Sequence, residues 1–221
     1  RVLNRVLRWT DQGIEYEADQ RHAEIVVTEM GLEKANAVTS PGVKAVEELP
    51  EDQWEYLDAS STRKYRGLAA RINYLAADRP DIQFAAKEIS RWMSAPCQHN
   101  WEAVKRMARY LIGAGRMVQK YKWQDDISKI TTYTDSDWAG CKRTRKSTSG
   151  GAIMIGQHLV KSWATTQSVI ALSSGEAELY AMTKAASQSI GLMSMAADFG
   201  ESMEAEIKSD ASAAIGIAHR K

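Results

Sequence analysis

With 221 residues, a hydrophobic fraction of 44% and a formal net charge of +1, the chain can form one large globular domain or two small ones, and any nucleic-acid binding must come from local clusters of cations. No apolar run is long enough to span a bilayer, and no signal-peptide core follows the basic start "RVLNRVLRWT", so we expect a soluble intracellular protein, or a piece of one. Cys97, Cys141 and the 4 scattered histidines lack the spacing of a disulfide framework or a zinc site.

The first 59 residues contain short elements and one boundary. "GIEYEAD" alternates like a strand, "QRHAEIVVTEMGL" has a helical period, and "TSPG" breaks the chain. The segment 45–59, "AVEELPEDQWEYLDA", contains acids, no base and a proline. We predict that it is an acidic linker or an exposed hairpin.

Three helical patterns follow the linker, each with one apolar stripe at helical spacing. Pro80 suits the start of the second helix, and Gly113 and Gly115 close the third. The stripes are Tyr65, Leu68, Ala69, Ile72, Leu75 and Ala76; then Ile82, Ala85, Ala86, Ile89, Trp92 and Met93; then Trp101, Val104, Ala108, Leu111 and Ile112. They predict a small helical bundle.

From about Ile127 the pattern changes to strands. "ISKITTYTD", "GGAIMIG" and "LVKSWAT" read as strands, the last two joined at "QH" as a hairpin. A long helix over 174–199 follows, with Leu179, Met182, Ala186, Ile190 and Met193 as its predicted buried stripe; "EAEIKSD" then reads as a strand and "ASAAIGIAH" as a helix. This order predicts an α/β fold with a mixed sheet and helices packed on it.

That topology brings carboxylates together. The first strand carries Asp135, the long helix carries Glu176 and Glu178 near its start, and the fourth strand leads to Asp210. Clustered carboxylates raise one another's pKa unless a cation is present, and oxygen ligands favour Mg²⁺ or Mn²⁺. Taken singly, Asp135 could only end a strand, Asp210 could cap the next helix, and Glu178 could lie on a solvated face.

The stretches "YTDSDWAG", "RKSTSGG", "SSGEAELYAM" and "SDASAAI" occur in an order that resembles the ribonuclease H domain of copia-type (Ty1/copia) retrotransposon Pol polyproteins. "YRGLAARINYLAADRPDIQFAAKEISRWMSAP" resembles the connection region between polymerase and ribonuclease H. The resemblance implies four segments: the end of a reverse transcriptase polymerase-like region (1–44), the acidic linker (45–59), a mainly helical connection region (60–124) and a C-terminally truncated ribonuclease H-like domain (125–221).

The resemblance also implies a function, namely two-metal hydrolysis of the RNA strand of RNA/DNA hybrids. Asp135 would bridge two Mg²⁺ or Mn²⁺ ions, with Glu178 and Asp210 completing the ligand set. The family's fourth acid would lie beyond Lys221, and the polymerase motif Y-x-D-D does not occur, so no DNA synthesis is expected. The implied partners are the hybrid and the polymerase region of the same polyprotein, and the implied locations are cytoplasmic virus-like particles or the nucleus. The alternative is an inactive fragment that keeps the fold and binds nucleic acid.

Helix geometry separates the two glutamates. Ser173 and Glu176 form a predicted capping box, which gives Glu176 a structural role. Residues two apart on a helix point about 200° apart, so Glu176 and Glu178 cannot both face one metal site. Asp137 shares a strand face with Asp135, and we predict that it supports the metal ligands from behind.

A basic loop follows the first acidic strand. We predict that its cations and hydroxyls bind the nucleic-acid backbone, and that two residues before the long helix contact the minor groove, where 2′-hydroxyls mark RNA. The alternative is a solvated basic turn, and Trp163 is predicted to be core. The predicted nucleic-acid-binding residues are Lys142, Arg143, Arg145, Lys146, Ser147, Ser149, Gln167 and Ser168.

Overall fold

The computed structural model describes residues 1–43, 53–125 and 128–220. The chain divides into two compact units, Arg1–Lys120 and Tyr121–Lys221. The first unit therefore contains both the 1–44 segment and the helices that follow the acidic segment. The finer boundaries at 44/45, 59/60 and 124/125 stay predictions.

In the described part of the first unit, a hairpin and four helices precede a further strand, whose last two residues belong to the second unit. β1 pairs antiparallel with β2, with Leu7 opposite Tyr16, and β3 extends this small sheet. β1 and β3 had no sequence prediction. The elements are β1 (Val6–Thr10), β2 (Gly13–Glu17), α1 (Arg21–Glu29), α2 (Ala59–Ala76), α3 (Gln83–Arg91), α4 (Gln98–Gly113) and β3 (Val118–Lys122).

The predicted helical stripes form the core of this unit. All six stripe residues of α2 are buried, and Tyr65 donates a hydrogen bond of 2.6 Å to the carbonyl of Ile89 on α3. A 3₁₀ turn, Pro80–Ile82, leads into α3, which confirms the predicted start at Pro80. In the second stripe Trp92 and Met93 are only partly buried, as Trp101 is in the third, and they pack against the core from its edge.

Most of the acidic segment predicted as a linker lies outside the described residues. At its end, Asp58 is the N-cap of α2 and accepts a hydrogen bond of 2.9 Å from the amide of Ser61. Tyr56 forms an isolated bridge with Cys97. The described end of the segment is therefore held against the helices rather than extended away from them.

The second unit has the predicted element order. In its described residues a mixed sheet has the strand order β6-β5-β4-β7, in which β4 pairs antiparallel with β5 and parallel with β7. The α/β prediction is confirmed, while the start predicted at Ile127 lies outside the described residues. The elements are β4 (Lys129–Asp137), β5 (Thr148–Ile155), β6 (His158–Thr166), α5 (Ser174–Asp198), β7 (Glu204–Lys208) and α6 (Ser212–Ala218).

The buried face of α5 differs from the predicted stripe. Ile190 is 61% exposed, while Ala177, Ala181, Ala185 and Ser189 are buried. The predicted face was wrong by one residue, about 100° of rotation. Small side chains let the helix approach the sheet closely. The hydroxyls of Ser189 and of Thr132 on β4 form a hydrogen bond of 2.7 Å.

Trp163 completes this core, as predicted. Its ring lies over Gly151 on the neighbouring strand, where an added Cβ would stand only 2.0 Å from the ring. A side chain at position 151 would therefore displace the tryptophan. None of the helices in the described residues combines the length and the apolarity that crossing a membrane requires.

Candidate metal centre

Three carboxylates from separate elements meet at one end of the sheet. Asp135 lies near the end of β4, Glu178 lies in the first turns of α5, and Asp210 follows β7. One carboxylate oxygen from each lies within 4.8 Å of the others. Asp135 and Asp210 are exposed, whereas Glu178 is only 8% exposed.

The topology explains this convergence. β4 and β7 are adjacent and parallel, so their carboxyl ends lie at the same edge of the sheet. The helix α5 begins near that edge, and the amide of Ser136 donates a hydrogen bond of 3.0 Å to Oε1 of Glu178. This bond fixes the glutamate beside the end of β4. Asp210 is not a helix cap, because Ala211 is the N-cap residue of α6.

The second oxygen of Glu178 shows which kind of ligand the cluster suits. Oε2 is buried and has no hydrogen-bond partner within the part of the chain that the structure describes. Burial raises the pKa of Glu178, and the nearby charges of Asp135 and Asp210 raise it further, although the Ser136 amide acts in the opposite direction. A buried, unpaired carboxylate oxygen is costly. A hard divalent cation such as Mg²⁺ or Mn²⁺ fits these oxygen donors.

Glu176 points away from the cluster. Ser173 is the N-cap of α5 and accepts a hydrogen bond of 3.1 Å from the amide of Glu176, as predicted. The Glu176 carboxylate reaches back to the amide of Leu172 at 2.7 Å rather than to that of Ser173, and it accepts a bond from the Tyr180 hydroxyl at 3.0 Å. Glu176 thus stabilises the start of the helix.

Asp137 is not part of the oxygen cluster. Its Oδ1 accepts a hydrogen bond from the amide of Thr148, and its carboxylate lies over Gly140. It therefore closes the loop between β4 and β5. A supporting role behind the metal ligands stays a prediction.

The basic loop is a closed turn between β4 and β5. The amide of Cys141 donates to the carbonyl of Lys146 at 3.1 Å, and the amide of Arg145 donates to the carbonyl of Cys141 at 2.7 Å. Arg145 has a φ of 57°, in the left-handed region. The side chains of Lys142, Arg143 and Arg145 are exposed, and Lys146 is half-buried. The loop can therefore present cations to an anion.

Three of the predicted nucleic-acid contacts are instead internal. Ser147, Ser149 and Gln167 are buried, while Ser168 is exposed. The Ser147 hydroxyl accepts from the amide of Ala139 at 2.9 Å, and Gln167 Nε2 donates to the Ser149 hydroxyl at 2.9 Å. The same Nε2 donates to the Ala177 carbonyl at 2.8 Å. These side chains join β5 to α5 and to the basic loop, and their assignment as backbone contacts was wrong.

Sequence reasoning missed an apolar surface beside the carboxylates. Trp138 is 51% exposed, and its indole nitrogen donates a hydrogen bond of 3.1 Å to the carbonyl of Ala171. Ile170 and Leu172, in the segment before α5, are also exposed. The sequence signal was the apolar run "SVIAL" immediately before the capping serine.

Comparison with known proteins finds similar proteins encoded by transposons. The chain is 32% identical to the retrovirus-related Pol polyprotein from transposon RE1 of Arabidopsis thaliana over 137 residues, which is 62% of this chain. It is 27% identical to the retrovirus-related Pol polyprotein from transposon TNT 1-94 of Nicotiana tabacum over 187 residues, or 83% of this chain. These similarities are consistent with a fragment of a retrovirus-related Pol polyprotein of a transposon. The copia-type resemblance predicted from the motifs agrees with this result.

The Pol polyproteins are much longer than this chain. It spans 9% of the RE1 polyprotein and 14% of the TNT 1-94 polyprotein. A shorter relative, the secreted RxLR effector protein 161 of Plasmopara viticola, is 33% identical over 132 residues, which cover 58% of this chain and 90% of that protein. No family model matches the chain. No solved structure matches it either.

Proposed function

We propose that this chain carries a metal-dependent endonuclease of the ribonuclease H type, which hydrolyses the RNA strand of RNA/DNA hybrids during retrotransposon reverse transcription. The observation that supports this most strongly is the meeting of Asp135, Glu178 and Asp210 around an unpartnered buried oxygen. The element order of residues 129–218 is compatible with a ribonuclease H-like fold. The similarity to Pol polyproteins of transposons supports a role in reverse transcription.

Each residue has a distinct part in this proposal. Asp135, Glu178 and Asp210 would hold two Mg²⁺ or Mn²⁺ ions, which when bound supply water activation and charge stabilisation at the leaving oxygen. The Ser136 amide keeps Glu178 oriented. The exposed cations of the basic loop bind backbone phosphates and position the strand over the carboxylates. Recognition of RNA requires contacts to 2′-hydroxyls in the minor groove, and Ser168 remains exposed for such a contact.

The proposal extends to partners and location. The hybrid is the proposed substrate, and the polymerase region of the same polyprotein is the proposed neighbour that produces it. Both would meet in a cytoplasmic virus-like particle or in the nucleus.

Cleavage of a labelled hybrid tests the proposal directly. The full chain is incubated with an RNA/DNA hybrid of about 20 base pairs in Mg²⁺, in Mn²⁺ and in EDTA, beside single-stranded RNA and duplex DNA of the same sequence. We expect cuts within the RNA strand of the hybrid only, present with either metal and absent in EDTA. The Asp135→Asn variant, which keeps the shape of the side chain, should be inactive.

Two results would contradict the proposal. Cutting by Asp135→Asn at the wild-type rate would show that the carboxylates do not perform the reaction. An intact hybrid with both metals, at concentrations where the chain binds it, would leave only the nucleic-acid-binding alternative.

A further inference from the structure

Lys161 and Lys184 form a second charged cluster in the second unit, apart from the basic loop. Lys161 lies on β6 and is exposed, and Lys184 lies on α5. Lys184 is half-buried, and its ammonium donates a hydrogen bond of 2.6 Å to the hydroxyl of Thr165. The ammonium of Lys161 donates to the amide oxygen of Gln188 at 2.5 Å.

Both lysines are held by neutral groups. Neither forms an ion pair with an acid in residues 1–43, 53–125 or 128–220. An ammonium has three donors, and the structure assigns one of them on each lysine, which leaves two on each for a ligand. Burial lowers the pKa of Lys184, and the charge of Lys161 lowers it further. Two like charges held together without an acid are unfavourable until an anion joins them.

The pair lies within reach of the same nucleic acid as the carboxylates. Lys184 is six residues beyond Glu178 on α5, which is about 9 Å of helix rise and about 120° of rotation around the helix axis. Thr165 pairs with Ser149, which pairs with Ser136, so Thr165 lies two strand spacings, about 10 Å, from the strand that carries Asp135. Phosphates of one strand advance about 3.4 Å each along a duplex axis. A separation of this size spans only a few phosphates.

We propose that Lys161 and Lys184, with the Thr165 hydroxyl, form a phosphate-binding subsite that holds the backbone of the nucleic-acid strand bound at the carboxylates. The subsite rests on the proposed function for its substrate, and it adds a contact that neither the basic loop nor the metal ligands provide. It positions the strand at a fixed distance from the carboxylates, so its residues are positioning residues.

Salt-dependent binding without metal tests the subsite separately from catalysis. The full chain is titrated into a fluorescent hybrid in EDTA at several salt concentrations, and the slope of log K against log salt is measured. In the Lys161→Gln/Lys184→Gln variant the slope should fall by about 0.7–0.9 for each lost phosphate contact, and binding should weaken. A Lys161→Arg/Lys184→Arg variant should retain the slope, which excludes misfolding as the cause.

A matched control removes two positive charges at another place in the second unit. Lys129 and Lys208 both pair with Glu206, so their cations are already partly neutralised, and Lys129→Gln/Lys208→Gln should leave the slope nearly unchanged. An equal fall in both glutamine variants would overturn the subsite, as would an unchanged slope in the first. Absence of hybrid binding by the wild type would also overturn it. Binding with the expected slopes but no cleavage in Mn²⁺ would contradict only the proposed nuclease.

Discussion

The two units differ in the groups that lie next to their buried charged side chains. In residues 1–120 buried acids are paired with arginines. Glu17 accepts two hydrogen bonds from Arg116, at 2.8 and 2.9 Å, and Asp19 accepts hydrogen bonds from the Arg21 guanidinium, the shortest at 2.6 Å. The Arg116 hydrogen bond lowers the pKa of Glu17, and the Arg21 hydrogen bond lowers that of Asp19. These acids are therefore stabilised as carboxylates by the fold itself.

The second unit shows the reverse pattern. Burial raises the pKa of Glu178 and lowers that of Lys184, so the fold disfavours the charged form of each. Each also lies beside groups of its own sign: Glu178 beside Asp135 and Asp210, and Lys184 beside Lys161. Charges paired inside the protein contribute to folding, whereas like charges kept together need a ligand of opposite sign. We therefore expect the first set of charges to contribute to stability, and we propose that the second set binds ligands.

Breaking a pair in the first unit should have the largest effect on stability. Arg79 is 1% exposed, and its guanidinium donates two hydrogen bonds to Asp81, at 2.8 and 2.6 Å. Asp81→Ala leaves this arginine buried without its acid, which should cost about 3–5 kcal/mol of unfolding free energy. The measurement is urea unfolding followed by circular dichroism. Glu102→Ala, which removes an exposed ion pair with Lys105, is the control and should change little.

The two glutamates of α5 should differ in catalysis. Glu178→Gln keeps the shape but removes a charge that holds the cation, so hybrid cleavage should lose several kcal/mol of transition-state stabilisation, a factor on the order of 10²–10³ in rate. Glu176→Gln retains groups that can bond the Leu172 amide and should cleave at nearly the wild-type rate. Initial rates of cutting in saturating Mg²⁺ compare the two variants. The opposite result would show that the assigned roles of the two glutamates are reversed.

Sequence reasoning located the carboxylates because their positions follow from topology. Three positions converge in a sheet of this connectivity: the strand that carries Asp135, the start of the helix that carries Glu178, and the strand that leads to Asp210. The same reasoning failed for Ser149 and Gln167. A short polar side chain near a strand end has the same sequence pattern whether it binds a phosphate or an internal amide, and only the packed helix α5 distinguishes the two.

Sequence periodicity also did not predict which face of α5 is buried, and it did not identify the pair of Lys161 and Lys184. Large apolar residues such as Ile190 formed a regular stripe, but the close approach of helix and sheet selected Ala181 and Ala185 instead. Lys161 and Lys184 lie on different elements, and no local pattern connects them. Both features depend on contacts between elements that are far apart in the sequence. The pattern within one segment therefore cannot predict them.

Cation binding should stabilise the protein only through the carboxylate cluster of the second unit. A ligand at 100 times its dissociation constant adds about 2.7 kcal/mol to the free energy of unfolding. Mn²⁺ should therefore raise the melting temperature of the wild type, and Asp135→Asn should lose most of this increase. Differential scanning calorimetry with Mn²⁺ and with EDTA measures both. Glu17→Gln, in the first unit, should show the full wild-type shift, and equal shifts in all three proteins would disconnect the cation from the carboxylates.

The pH dependence of stability should have opposite signs in the two units. Without metal, the folded pKa of Glu178 lies above its unfolded value, so its contribution is present below the unfolded value, about 4.3, and is lost as pH rises through the folded pKa. The folded pKa of Glu17 lies below its unfolded value, so its contribution is present above about 4.3 and is lost as pH falls through the folded pKa.

Glutamine substitutions make the two opposite pH dependences measurable as differences in melting temperature. In EDTA, the melting temperature of Glu178→Gln minus that of the wild type should increase as pH rises from 3 to 7, because the variant lacks the repulsion among the carboxylates. The same difference for Glu17→Gln should decrease over that range, because the variant loses an ion pair that only the carboxylate makes. These are the smallest of the expected effects, and each needs only a thermal scan at several pH values. Parallel slopes for the two variants would mean that Glu178 already has an internal counter-charge, and the distinction between paired and unpaired charges would fail.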